Sequence, residues 1–126
     1  MPVVLWVAIG GALGSAARYG VNVWSGRMLG ADFPWHTLIV NLLGCFTMGA
    51  LTALLALKLN VGQETRAFLT TGILGGFTTF SAFSGETIEL LAAGRQRAAA
   101  INVVATLSLC LLAAYAGLRL GGQLAH

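Results

Sequence analysis

Four apolar stretches take up most of this 126-residue chain, at about Val3–Val23, Thr37–Leu59, Arg66–Leu91 and Ala98–Leu118. A helix that crosses a bilayer needs about 20 mostly apolar residues, so each stretch is long enough to span. In lipid every backbone amide must find a partner within the protein, which makes such spans helical. The segments between them are too short for a soluble domain. The expectation is an all-α membrane protein, a single four-helix transmembrane domain over residues 1–126. Charged residues make up 9% of the chain, against about 25% in a soluble domain. The formal charge is +3, from seven basic residues spread along the sequence, which is no nucleic-acid surface. The first segment lacks a basic start and ends in Arg18, so it reads as a retained span and not a cleaved signal peptide.

The third stretch is the unusual one. Gly72 to Glu86 holds two adjacent glycines, two threonines, two serines and three phenylalanines within fifteen residues. A broken helix is tolerated in a membrane only where protein or a watery cavity surrounds it. A break in mid-membrane, rich in hydroxyls and rings, is therefore a candidate site. The plainer reading is a glycine surface for close helix packing, which does not explain the alternating hydroxyl and phenyl groups. Gly10, Gly11, Gly14 and Ala17 give the first segment small residues at spacings suited to such packing.

Polar residues recur at helical spacing on two other stretches. Thr37, Asn41 and Cys45 share one face of the second segment, and Asn102, Thr106 and Cys110 share one face of the fourth. A lone intramembrane Asn is commonly interhelical glue; two repeating stripes beside a broken helix suggest a narrow polar track. Cys45 and Cys110 read as small membrane residues, not as a disulfide or metal pair. His36 and His126 sit outside any ligand spacing and read as an interfacial residue and a tail. Gly94, in the short third loop, is placed to cap a helix C-terminus.

The track offers amide and hydroxyl donors, and Phe80 and Phe83 lie three residues apart on nearly one face. A phenyl ring has a positive edge. Donors and ring edges, with no lysine or arginine in mid-membrane, describe a site for a small, strongly hydrated anion that must also be released. Arg18, Glu86 and Glu89 lie within or near the membrane boundary, where charges are costly and are paired or functional. Arg18 can snorkel or meet an acid on a neighbouring helix; Glu86 is the more interesting acid, and Glu89 is interfacial. Lys58, Arg66 and Arg119 fall on one side of the membrane, and Arg27, Arg95 and Arg97 on the other. Orientation follows a lysine and arginine excess on the cytoplasmic side; with three against three, the chain has no preferred orientation and could pair with an inverted copy of itself.

These residues resemble the Fluc (CrcB) fluoride channel family along the whole chain. The likeness rests on Gly10-Gly-Ala-Leu-Gly-Ser-Ala-Ala-Arg18, on Thr37-Leu-Ile-Val-Asn41-Leu-Leu-Gly44, and on the highly specific Gly75-Gly-Phe-Thr-Thr-Phe-Ser-Ala-Phe-Ser84. The resemblance implies an antiparallel, dual-topology homodimer in a bacterial inner membrane, with two fluoride pores at the dimer interface. It implies that Phe80 and Phe83 line the pore, that Asn41 projects into it, and that Ser81, Ser84 and Thr106 belong to the track. It further implies a structural sodium ion at the dimer centre, held by the backbone carbonyls of Gly75 and Thr78. Cys110 departs from a serine at the matching position, and a thiol is the weaker donor; Asn102 stands where an aromatic can occur. The function implied is passive export of cytoplasmic fluoride, which lowers its toxicity and needs no enzyme chemistry. The rival is a small multidrug-type proton-coupled antiporter, which would need a carboxylate in the first segment; that segment has none, though Glu86 could serve. A structural subunit of a larger membrane complex is the third reading.

Overall fold

Helix α1 runs Val3–Leu29 in a computed structural model that describes residues 1–57 and 60–124. It extends past the expected end at Val23, because Ser25 and Gly26 do not stop it. The stop is Gly30, whose φ of 80° lies in the left-handed region that glycine enters without a Cβ clash. Helix α2, Trp35–Leu57, begins two residues before the expected Thr37. Pro34 cannot extend a helix backward, but its carbonyl accepts the Leu38 N–H at 3.3 Å and draws Trp35 and His36 into the first turn. The expected end of this segment at Leu59, the basic Lys58 and the tail residue His126 lie outside the described residues.

The third stretch is helical in pieces. Helix α3, Gln63–Ala67, is followed by a π-helical segment, Phe68–Leu74, and by the short helix α4, Gly75–Phe77. Thr78 and Thr79 then take extended backbone angles before helix α5, Phe80–Ala92. A Schellman turn closes α5: Gly94 at φ 77° donates to Leu91 O at 3.0 Å, and Arg95 N–H donates to Leu90 O at 2.9 Å. Helix α6, Gln96–Leu124, follows at once. Among the described residues there is no strand, and α1, α2 and α6 are each long and apolar enough to cross a membrane.

Two backbone-to-backbone contacts organise these elements. Helices α2 and α6 form the most extensive pair. A Cβ on Gly49 would run into Ala114 O, one on Gly117 into Phe46 O, and one on Gly121 would reach Ala50 O at 2.5 Å. From Phe46 and Gly117 to Ala50 and Gly121 the residue numbers rise together, so the two helices are parallel. On the other side, α1 packs on the π segment and α4: a Cβ on Gly14 would strike Ile73 O, and one on Gly76 would come within 2.5 Å of Gly11 O. Small residues at such contacts gain dispersion energy that bulkier side chains would hold apart. The core of the chain is thin, with Leu38, Val40, Leu55, Leu74, Phe83 and Leu90 buried and most large apolar side chains outward, as lipid permits.

Candidate functional site

The two extended threonines decide where the third stretch's backbone bonds go. In an unbroken helix the Thr79 N–H would donate to Gly75 O, and the Ala82 N–H to Thr78 O. Here Thr79 N–H donates to Asn41 Oδ1 at 2.9 Å, and Ala82 N–H donates to Thr79 Oγ1 at 3.1 Å, an N-cap for α5. Both carbonyls are thereby released from their in-line donors. Asn41 completes a two-point pairing by donating from Nδ2 to Thr79 O at 3.0 Å. Its amide carries a second hydrogen beyond that bond. Thr78 stays tied to the turn before it, with N–H and Oγ1 both donating to Leu74 O at 2.9 and 2.8 Å.

Gly76 O also loses its helical donor, since Phe80 opens the next helix. Arg18 fills the gap: its Nε donates to Gly76 O at 3.1 Å, with Ser15 Oγ at 3.5 Å. Among the described residues the guanidinium thus meets no acid, one of the two roles its sequence position suggested, but a freed carbonyl on the adjacent segment. A buried carbonyl without a donor is costly in lipid.

Beside the two threonines lies a cavity of about 280 Å³. Asn41 and Cys45 line it from α2, Thr106 and Cys110 from α6, and Thr78, Thr79, Phe80 and Phe83 from the third stretch; no lysine or arginine is among its lining residues. The rings of Phe80 and Phe83 stand 5.4 Å apart at 57°. They differ in setting: Phe83 is 6% exposed, whereas Phe80 is 72% exposed. Of the expected track residues, Asn41, Phe80, Phe83 and Thr106 meet here. Ser81 and Ser84 are not among its lining: Ser81 Oγ bonds Thr79 Oγ1 at 3.2 Å, and Ser84 Oγ donates to Phe80 O within its own helix at 3.0 Å.

The chain matches the family described as CrcB-like protein, Camphor Resistance (CrcB), over residues 5–118. It belongs to the CrcB family. It is 49% identical over 118 residues to the fluoride-specific ion channel FluC of Agrobacterium fabrum, covering 94% of each chain. It is 52% identical over 120 residues to a protein of the same name from Thermus thermophilus, covering 95% of this chain and 94% of that one. With its apolar spans, this CrcB chain is a multi-pass membrane protein.

Two further polar links of this CrcB protein were not legible in the polar stripes. Asn102, 2% exposed, donates from Nδ2 to Thr87 Oγ1 at 3.0 Å, and Thr87 Oγ1 donates to Phe83 O at 2.8 Å. Thr106 Oγ1 in turn donates to Asn102 Oδ1 at 3.4 Å. Asn102 therefore ties α6 to α5 one turn after Phe83. Glu86 Oε1 accepts from Thr37 Oγ1 at 2.8 Å and lies 2.9 Å from His36 Nε2, while its Oε2 is buried without a partner among the described residues. His36 is thus more than an interfacial residue. The missed cap at Thr79 had a signal, a threonine directly before an apolar run; the Thr87 and His36 links had none, because each joins two different helices across a packing contact that spacing does not reveal.

Proposed function

We propose that this protein is a fluoride-specific ion channel that lets cytoplasmic fluoride leave passively, down its electrochemical gradient, and so lowers fluoride toxicity. The observation that carries the reading is the near-half identity, over almost the full length of both chains, to relatives that bear that name. The cavity chemistry agrees: an anion meets the amide of Asn41, the hydroxyl of Thr106 and the rings of Phe80 and Phe83, and no fixed cation that would hold it. A negative interior adds about 2.3 kcal/mol per 100 mV to the exit of one charge. No bond is made or broken in such a passage.

The pore forms between two copies in an antiparallel homodimer, with the third stretch of each crossing the membrane as a broken helix. Two features support this arrangement. Phe80 belongs to the cavity lining yet stands 72% exposed, so the cavity wall is incomplete in one subunit. The basic residues, three on each expected side, give neither orientation an advantage.

A structural sodium ion at the dimer centre fits the released carbonyls. Gly75 O and Thr78 O have lost their in-line donors to Asn41 and Thr79, and two copies would offer four such oxygens. No carboxylate accompanies them, which suits a monovalent ion better than a divalent one. These carbonyls would hold the ion and fix the two breaks against each other.

The antiporter alternative has little to rest on. Helix α1 contains no acid, and Glu86 is held by Thr37 and His36. Purified protein in liposomes tests the choice: fluoride should leave rapidly and chloride far more slowly. Comparable chloride flux, or a strict need for a proton gradient, would overturn the channel. Cysteine labelling of the amino terminus should find it on both sides of the membrane, and labelling from one side alone would overturn the antiparallel dimer.

A further inference from the structure

Cys45 and Cys110 are far apart in sequence, and both are free. The parallel register of α2 and α6 brings them together. Gly49 lies against Ala114 O, and one turn back along both helices stand Cys45 and Cys110, with Asn41 and Thr106 a turn further. Both cysteines line the same cavity, one from each helix. Neither is fully buried, so a solute in the cavity reaches them.

We propose that Cys45 and Cys110 form a two-thiol site, in the candidate ion path, for a soft cation that prefers linear two-coordination, with mercuric ion as the fitting member of the class. Sulfur ligands select soft metals. Zinc in a structural site takes four ligands, and among the described residues no group of three His, Cys, Asp or Glu is available. Two sulfurs alone suit a linear ion. Charge then chooses within the linear class. A divalent ion displaces one proton from each thiol and forms two metal–sulfur bonds, leaving a neutral bridge and releasing two protons to water. A monovalent copper or silver ion bridged in the same way would leave a net negative charge in a low-dielectric cavity, which is penalised by desolvation. No oxidant is needed, because neither sulfur changes oxidation state. The bridge would place a bulky group across the cavity between Asn41 and the α6 side, so bound metal blocks the path.

The inference rests on the channel reading only for its effect on flux; the metal site itself can be measured separately. Purified protein treated with mercuric chloride should retain one mercury per chain by elemental analysis, lose both maleimide-reactive thiols, and keep its metal through a wash with glutathione. Cys45→Ser and Cys110→Ser can hold mercury through one sulfur only, and should release it in that wash. Two mercury ions per chain, or equal release from wild type and both variants, would overturn the shared site. In liposomes, treated and washed wild-type protein should pass fluoride at about one-tenth or less of its untreated rate, while each washed variant recovers its own untreated rate. A retained bridge with unchanged flux would overturn the placement in the path. Absence of fluoride efflux before any mercury is added would instead count against the channel reading and leave the metal stoichiometry to stand by itself.

Discussion

Replacing Asn41 with leucine removes the pairing that holds the third stretch open while keeping the number and branching of the side chain's heavy atoms. Asn41 is 8% exposed, and its amide makes two bonds to one residue, 2.9 Å from Thr79 N and 3.0 Å to Thr79 O. A net hydrogen bond contributes about 1 kcal/mol, and a buried group left without its partner costs about 1–3 kcal/mol. Two such groups on Thr79 lose their partner at once. Part of the loss is recovered, because the Thr79 N–H can turn back toward Gly75 O. The balance is a destabilisation of about 2–4 kcal/mol, a shift of about thirty- to nine-hundred-fold in the folding equilibrium. Reversible unfolding in mixed micelles, followed by far-ultraviolet circular dichroism, measures it. Thr52→Val is the matched control: that hydroxyl bonds Met48 O in its own helix at 2.7 Å and lies exposed, so the change should stay within about 0.5 kcal/mol. An Asn41→Leu protein as stable as the control would refute the reasoning, and Asn41 would then be a passive lining residue.

Phe80→Ile and Phe83→Ile keep apolar bulk and remove the positive ring edge; fluoride efflux should fall sharply in each with the protein still folded, and wild-type flux in both would return the rings to packing. Gly49→Ala drives a methyl into Ala114 O, and overpacking of this kind should cost about 1–3 kcal/mol in the same micelle unfolding assay. Arg18→Met leaves Gly76 O without its 3.1 Å donor, so stability should fall by about 1–3 kcal/mol, whereas Arg18→Lys should restore part of it.

Much of the architecture was legible from residue spacing alone. Apolar length placed α1, α2 and α6, and the glycines of the first segment marked a close contact before any partner was known. The stripe Thr37, Asn41, Cys45 was legible as one face, but not its division of labour. One turn apart, these three side chains reach Glu86, the backbone of Thr79 and the cavity beside Cys110. A repeat of four says that residues share a face and is silent about what stands opposite. Ser81 and Ser84 show the converse: hydroxyls near a break look like track residues, yet a serine or threonine in a helix readily bonds the carbonyl four residues back, as Ser84 does. Thr87 bonds Phe83 O in the same way, and its hydroxyl also receives Asn102. The end of α1 and the start of α2 differ from the apolar limits because Gly30 and Pro34 are the residues that punctuate the backbone.

The glycine contact between α2 and α6 also bears on the order in which the fold is made. Its two halves come from opposite ends of the chain, Phe46, Gly49 and Ala50 from the second helix and Ala114, Gly117 and Gly121 from the last. During synthesis, the surface of α2 that receives α6 stays bare until the final helix has entered the membrane. The third stretch, by contrast, finds both α1 and Asn41 already waiting when it emerges. A chain cut short before α6 therefore has its break assembled but its widest helix contact missing, with the cavity open along one entire side. Completion of the cavity wall is a late event in the life of the nascent chain, set by the arrival of its last helix.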